Sequence, residues 1–331
     1  MTDLKLTQSF SMISLNAQDN LHMTTAKKAA LRCMAAAVVL EAYLDNSFIQ
    51  QTEDKLILQK DTLNQSLAMT YWEPVLKPLL YRKAGAKVDL KWWLKKASIL
   101  HSRQLIKLEH AIAASLNEME LLEVIPNLLG CDLYYDSAGV EMKEYRSNVE
   151  EYTRITENIR AEILEEGSVT DETICMLWLL RESGCMHDLF SQNELEKADI
   201  RMNELYQANP LAQILFVVSI HHGLEIAVKK FLYTKKTIIK TPSGSRMNFA
   251  FPFLERSQSV FIETEAWFSN SKNRLEDVKV RLESKGHLFT VLHEGQVPLI
   301  KIDNLVYQAV PHATYGKVPI HGVRILPKRS I

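Results

Sequence analysis

Apolar residues recur at steps of three and four through most of the first 235 positions, the spacing that lays one face of a helix against a core. The clearest run is Met142, Tyr145, Val149, Tyr152, Ile155, Ile159 and Ile163, which predicts one amphipathic helix over 140–166. Gly167 ends it. Ser168 with Asp171 reads as a capping-box start for the next helix, whose apolar face carries Ile174, Leu177 and Trp178 and whose stop is Gly184. Upstream, Thr24 and Thr25 can cap an alanine-rich helix running to about Leu44, its small side chains suited to close packing. Residues 48–59 read as a short hairpin, 65–84 and 88–116 as helices on either side of Gly85, and 121–136 as β-prone around a 126–130 turn. Residues 189–207 read as helical, and Asn209 with Pro210 starts another helix, to about Tyr233.

The texture changes after Lys235, where Pro242-Ser243-Gly244 marks a linker. Beyond it the pattern predicts a strand near 259–268, a helix ending before Gly286, a hairpin around Glu294-Gly295, and two further strands. The expected fold class is therefore mainly α: a multi-helix domain with short β-hairpins over residues 1–235, then a small α+β module over 245–331. The aromatic residues Phe249, Phe251, Phe253, Phe261, Trp267 and Phe268 are read as core or interdomain packing, with a partner-binding surface as the alternative.

A chain of 331 residues with 47% apolar composition is long enough for two domains and a sizeable core. Cys33, Cys131, Cys175 and Cys185 form no Cys-x-x-Cys pair and read as buried free thiols of a reducing compartment. The N-terminus lacks a basic-then-apolar leader pattern, and the longest strong apolar run, 211–220, is far short of the roughly 20 residues that span a bilayer. The expected location is cytoplasmic, with membranes met from the surface. Only 11 glycines occur and no glycine-rich phosphate loop is present.

The formal charge of -1 conceals two opposed regions. Residues 77–107 hold nine basic side chains against Asp89 alone, a net +8, whereas 141–172 hold ten acids against four bases, a net -6. Lys91-Trp92-Trp93-Leu94-Lys95-Lys96 has the aromatic and cationic mix of a membrane interface. Lys91, Lys95, Lys96, Arg103 and Lys107 are the candidate contacts to anionic lipid or phosphate groups. The plainer reading pairs the basic and acidic segments with each other, and an acidic protein partner is a third. A second basic cluster runs over Lys229, Lys230, Lys235, Lys236, Lys240 and Arg246. Nucleic acid is not expected, because no recognition motif accompanies the basic residues.

No reaction is indicated. His221, His222 and Glu225 fall at helical spacing, but two or three such residues without a further ligand make a poor zinc site. His101, His110, His287, His293, His312 and His321 are scattered without metal spacing, Cys185-x-His187 lacks an orienting group, and no Gly-x-Ser-x-Gly occurs. Paired carboxylates such as Glu150-Glu151 read as solvated helix faces. No catalytic residue, metal set or cofactor is assigned.

Three segments in order carry a family resemblance: AALRCMAAAVVLEAYLDNSFIQ at 29–50, with Glu41 near its end, VDLKWWLKKASI at 88–99, and VTDETICMLWLLRESGCMHDLF at 169–190. Together they resemble the Golgi phosphoprotein 3 family, and divergent bacterial members more than eukaryotic ones, over roughly residues 1–235. The resemblance implies a helical fold. In eukaryotic members it also implies binding of phosphatidylinositol 4-phosphate on Golgi membranes and capture of glycosyltransferase tails. The positions matching that family's lipid-binding Trp and Arg residues are Ala26, Ala35, Ile106 and Glu109, none of which can replace an Arg-phosphate contact. The resulting expectation is a non-enzymatic binding or adaptor protein, peripheral to membranes through its basic surface. The alternative is a cytosolic protein-protein regulator that binds no lipid.

Overall fold

The computed structural model describes residues 4–52, 55–59, 70–80, 88–139, 141–220, 259–264, 270–315 and 319–328. In chain order the elements are α1 (Leu6–Leu15), α2 (Thr25–Leu44), β1 (Phe48–Thr52), β2 (Lys55–Leu58), α3 (Glu73–Leu80), α4 (Leu90–Ser98), α5 (Ser102–Glu118) and β3 (Leu122–Pro126). A 3-10 turn (Leu128–Cys131), α6 (Leu133–Ser137), β4 (Lys143–Ser147), α7 (Val149–Leu164), α8 (Asp171–Ser183), α9 (Met186–Leu189), α10 (Gln192–Ala208) and α11 (Pro210–Leu215) follow. The last are β5 (Val260–Glu263), α12 (Ser271–Ser284), β6 (Phe289–His293), β7 (Leu299–Ile302), β8 (Leu305–Tyr315) and β9 (Pro319–Pro327). The chain is mainly helical. No helix of the described residues is long and apolar enough to cross a membrane.

Two compact units divide the chain, and each is assembled from separate segments. The first comprises 1–14, 25–121 and 153–254; the second comprises 15–24, 122–152 and 255–331. The sequence pattern drew one sequential boundary, 1–235 against 245–331. A shared core explains the difference: Leu128, Leu129 and Cys131, in the turn after β3, are buried in one cluster with Val260, Ile300 and Ile325 of the C-terminal strands.

The first unit is built on α2. Its residues from Ala29 to Leu40 are all buried, and α4 and α8 pack directly on it. The hairpin β1–β2 is tied to α4 by Trp93, whose indole nitrogen donates to the Leu56 carbonyl at 3.1 Å and whose ring meets Phe48 edge-on. α8 starts at Thr170, whose hydroxyl accepts from the Thr173 amide, rather than at Ser168. It stops at Gly184, at φ 81, a left-handed conformation suited to glycine. α11 begins as expected at Asn209-Pro210 but ends at Leu215, well before Tyr233. Buried side chains of α8 capture the backbone beyond it. Arg181 donates to the Phe216 carbonyl, Trp178 donates to that of Val218, and Glu182 accepts from the Ile220 amide. Those contacts replace the helical bonding that a longer α11 would supply.

In the second unit, the C-terminal part is a five-stranded antiparallel sheet in the order β5-β9-β8-β7-β6, where a small α+β module was expected. The segments read as two further strands are β8 and β9, whose register runs from Tyr307↔Pro327 to Tyr315↔Pro319, β8 extending beyond the expected 305–310. Alternation fixes the inward face: Val260 and Ile262, Ile300 and Ile302, Tyr307 and Ala309, and Val323 and Ile325 are all buried. Val278 and Leu282 of α12 complete that core. Gly322 permits the close approach of β5, because a β-carbon there would fall 2.2 Å from the Ile262 carbonyl oxygen.

Two local expectations fail for identifiable reasons. The helix expected over 140–166 begins as strand β4, because residues 143–147 pair with β3, Tyr145 opposite Val124. The β-prone segment 121–136 turns helical after Pro126. Asn127 and Asp132 side chains accept from the amides two residues on, at 2.8 and 3.0 Å, and so start two short helical turns.

Candidate functional site

The basic residues singled out from sequence lie in the first unit, on α4, α5 and the turn between them. Asp89 caps α4 by accepting from the Trp92 amide at 2.9 Å. The helix buries Leu90, Trp93, Leu94 and Ala97 and so directs its remaining positions outward. Lys91, Trp92 and Lys96 are partly exposed and Lys95 is exposed. The Lys96 ammonium sits 5.9 Å from the Trp92 ring centre, a cation-π contact at the surface. At Ser98 the hydroxyl donates to the Lys95 carbonyl, and the helix closes at Ile99. α5 then starts from extended His101. The single helix expected over 88–116 is thus two. On α5, Arg103, Ile106 and Lys107 are exposed while Leu105, Leu108 and Ile112 are buried. Ile99 and Ile106 add apolar area to the outward row, at 43% and 40% exposure.

One basic residue of this region has a local acidic partner. Among the described residues, Lys77 pairs with Glu73 at 2.6 Å on the surface of α3. The Lys77 ammonium, with a smaller contribution from Lys107, holds the Glu73 carboxyl below its ordinary range. Among the described residues no ion pair joins Lys91, Lys95, Lys96, Arg103 or Lys107 to a carboxylate of 153–172. Arg82, Lys83, Lys87, the 229–246 basic cluster, and His221, His222 and Glu225 lie outside the described residues.

Of the four positions that the sequence resemblance sets against a lipid site, three are interior. Ala26, Ala35 and Glu109 are buried, and only Ile106 faces solvent. Glu109 is joined at 2.6 Å to Lys27, both side chains 2% exposed. Glu41, at the end of the small-residue helix, is a buried acceptor. It receives the Thr7 amide at 2.8 Å, the Tyr71 hydroxyl at 2.9 Å and the Trp72 indole at 2.7 Å. Burial raises its carboxyl above the ordinary range, and these donors only partly offset that. Glu109 and Glu41 thus serve as buried structural contacts.

No protein-family model matches this chain, and no curated protein matches it.

A second constellation lies in the other unit and was invisible in the sequence. Glu144 on β4, His287 after α12, and Asp303 in the two-residue turn between β7 and β8 place one ligand atom each within 4.8 Å of one another. Asp303 takes a left-handed conformation, φ 52, which short polar side chains tolerate. Its carboxylate accepts from His287 Nδ1 at 2.8 Å, the Leu288 amide at 3.0 Å and Arg146 at 3.3 Å. These contacts outweigh burial and hold Asp303 below the usual carboxylate range. Glu144 goes the other way: burial, with the Asp303 charge beside it, pushes its carboxyl up to about 8. Arg146 also donates to the Gly286 carbonyl and pairs with Glu123 at 2.6 Å. The sequence offered no spacing signal, because the three residues come from positions 143 residues apart at the closest to His287 and 16 apart at the turn.

Proposed function

We propose that this chain is a non-enzymatic binding module that attaches to anionic membrane surfaces through the outward row of α4 and α5. The observation that carries the reading is the split of the tryptophan pair. Trp93 anchors α4 to the β1–β2 hairpin, while Trp92 stays partly exposed among Lys91, Lys95 and Lys96. A half-exposed indole flanked by ammonium groups suits the headgroup layer, where the ring enters and the cations meet lipid phosphates. Each lysine or arginine near such a surface contributes about 1 kcal/mol, so several together suffice for reversible attachment. The ordered likeness of three segments to Golgi phosphoprotein 3 supports a platform role. Burial of Ala26, Ala35 and Glu109 favours a charge-driven surface over that family's headgroup pocket.

Vesicle co-sedimentation at physiological salt tests this. The full chain is compared on neutral vesicles, on vesicles with a generic anionic lipid, and on vesicles with phosphatidylinositol 4-phosphate, beside a Lys91/Lys95/Lys96→Glu variant. The expected result is binding to both anionic types, weakened by added salt and lost in the variant. Selective binding to the phosphoinositide would replace charge attraction with a specific headgroup site. No binding to any vesicle would overturn the membrane reading and leave the acidic protein partner.

A further inference from the structure

We propose that Glu144, His287 and Asp303 form a binding site for a divalent transition-metal ion, a property separate from membrane attachment. Three observations converge. First, an imidazole nitrogen and two carboxylate oxygens lie within 4.8 Å of one another. Metal-ligand bonds of about 2.0–2.2 Å set ligand atoms about 3.4 Å apart, a closure that small side-chain rotations provide. Second, the imidazole already stands against one of the two carboxylates: His287 Nδ1 lies 2.8 Å from Asp303 Oδ2, so an ion can take the place of the proton these two atoms share. Asn304, whose Oδ1 is a buried acceptor with no hydrogen-bond partner, lines the adjoining cavity of about 10 Å³ together with Glu144 and Asp303.

Third, the charges call for a cation. The carboxyl groups of Glu144, Asp303 and Glu123 cluster around one guanidinium, Arg146, which pairs with Asp303 and Glu123, so the group is short of positive charge and a dication supplies it. One nitrogen and two oxygen donors suit zinc, cobalt or manganese better than calcium or magnesium, which prefer oxygen alone. Three protein ligands leave a coordination position for water.

The test uses the full chain stripped with chelator. Cobalt(II) is titrated and followed by visible absorption, zinc is added in competition, and melting temperature is recorded with and without zinc. Glu144→Gln, which keeps the volume and removes the charge, and His287→Gln are run alongside, with circular dichroism reporting their folding. One equivalent of cobalt is expected in the wild type, displaced by zinc, with affinity at least about 100-fold weaker in either folded variant. Zinc should raise the wild-type melting temperature and leave both variants unmoved. In wild-type protein labelled with 15N-histidine, zinc should shift the ring-nitrogen signals of one buried imidazole, a readout that needs no variant. The proposal is overturned by absence of stoichiometric binding or by undiminished binding in both variants. Loss of binding only on replacing His221 and His222, or equal affinity for magnesium or calcium, would overturn it too.

Discussion

Lys27 and Glu109 meet at 2.6 Å in the first unit, both sealed from solvent, so each buried charge has an opposite one beside it. In the second unit Glu144 is also buried, but the strongest charge acting on it is another carboxylate, Asp303, and the guanidinium of Arg146 is shared with Asp303 and Glu123. Glu41 stands between these extremes, a lone buried carboxyl met by three donors. Burial is the same in all three; compensation is not. A compensated group holds helices in place, whereas an under-compensated group is where a bound cation would add most. That contrast separates the anchors of the helical unit from the Glu144 cluster without reference to any relative.

The contrast breaks first at Lys27. Lys27→Met leaves Glu109 buried without its counter-charge, which costs about 3–5 kcal/mol in such pairs. The double variant Lys27→Met/Glu109→Leu should recover most of that loss, since a hydrophobic replacement of a buried pair is often neutral. Urea unfolding of the full chain gives both values. A single-variant cost below about 1 kcal/mol would mean the pair is hydrated and not an anchor.

A smaller effect is expected at Glu41. Glu41→Gln keeps the volume but turns one acceptor into a donor, facing the Thr7 amide, the Tyr71 hydroxyl and the Trp72 indole. At least one buried donor is then unsatisfied, a loss of about 1–3 kcal/mol. Trp72 fluorescence should respond with it. An unchanged midpoint and spectrum would show that the carboxylate is not the hub of those contacts.

Much of the fold was legible because local signals agreed with the final packing. The Thr25 start of α2, the Asn209-Pro210 start of α11, the Gly184 stop of α8 and the β6–β7 hairpin are all set by residues within a turn of the boundary. What escaped was set from far away. Residues 143–147 carry helical periodicity yet form a strand because residues 122–126 are there to pair with them. The same holds for the sites. Lys91, Lys95 and Lys96 share one short helix, so their outward placement follows from which neighbours are apolar. Glu144, His287 and Asp303 meet only through the tertiary structure, and a histidine without nearby ligands in sequence looked idle.

The smallest effect sharpens the comparison with a buried carboxyl that has no compensation to lose. Asp199 on α10 is buried, and desolvation alone pushes its carboxyl up to about 6 from 3.8. The folded chain therefore holds this proton more tightly than the unfolded chain. Its contribution to stability is full below 3.8 and is lost as pH rises through about 6, with a slope of at most about 1.4 kcal/mol per pH unit. Asp199→Asn removes the charge and keeps the shape. The variant should match the wild type near the lower limit, gain on it across that window, and remain about 1–2 kcal/mol more stable at neutral pH. Urea midpoints of both chains from pH 4 to pH 8 would trace this difference. A constant offset across the range would show that Asp199 ionises as freely in the folded chain as in the unfolded one, and that burial alone does not distinguish strained carboxyls from satisfied ones in this molecule.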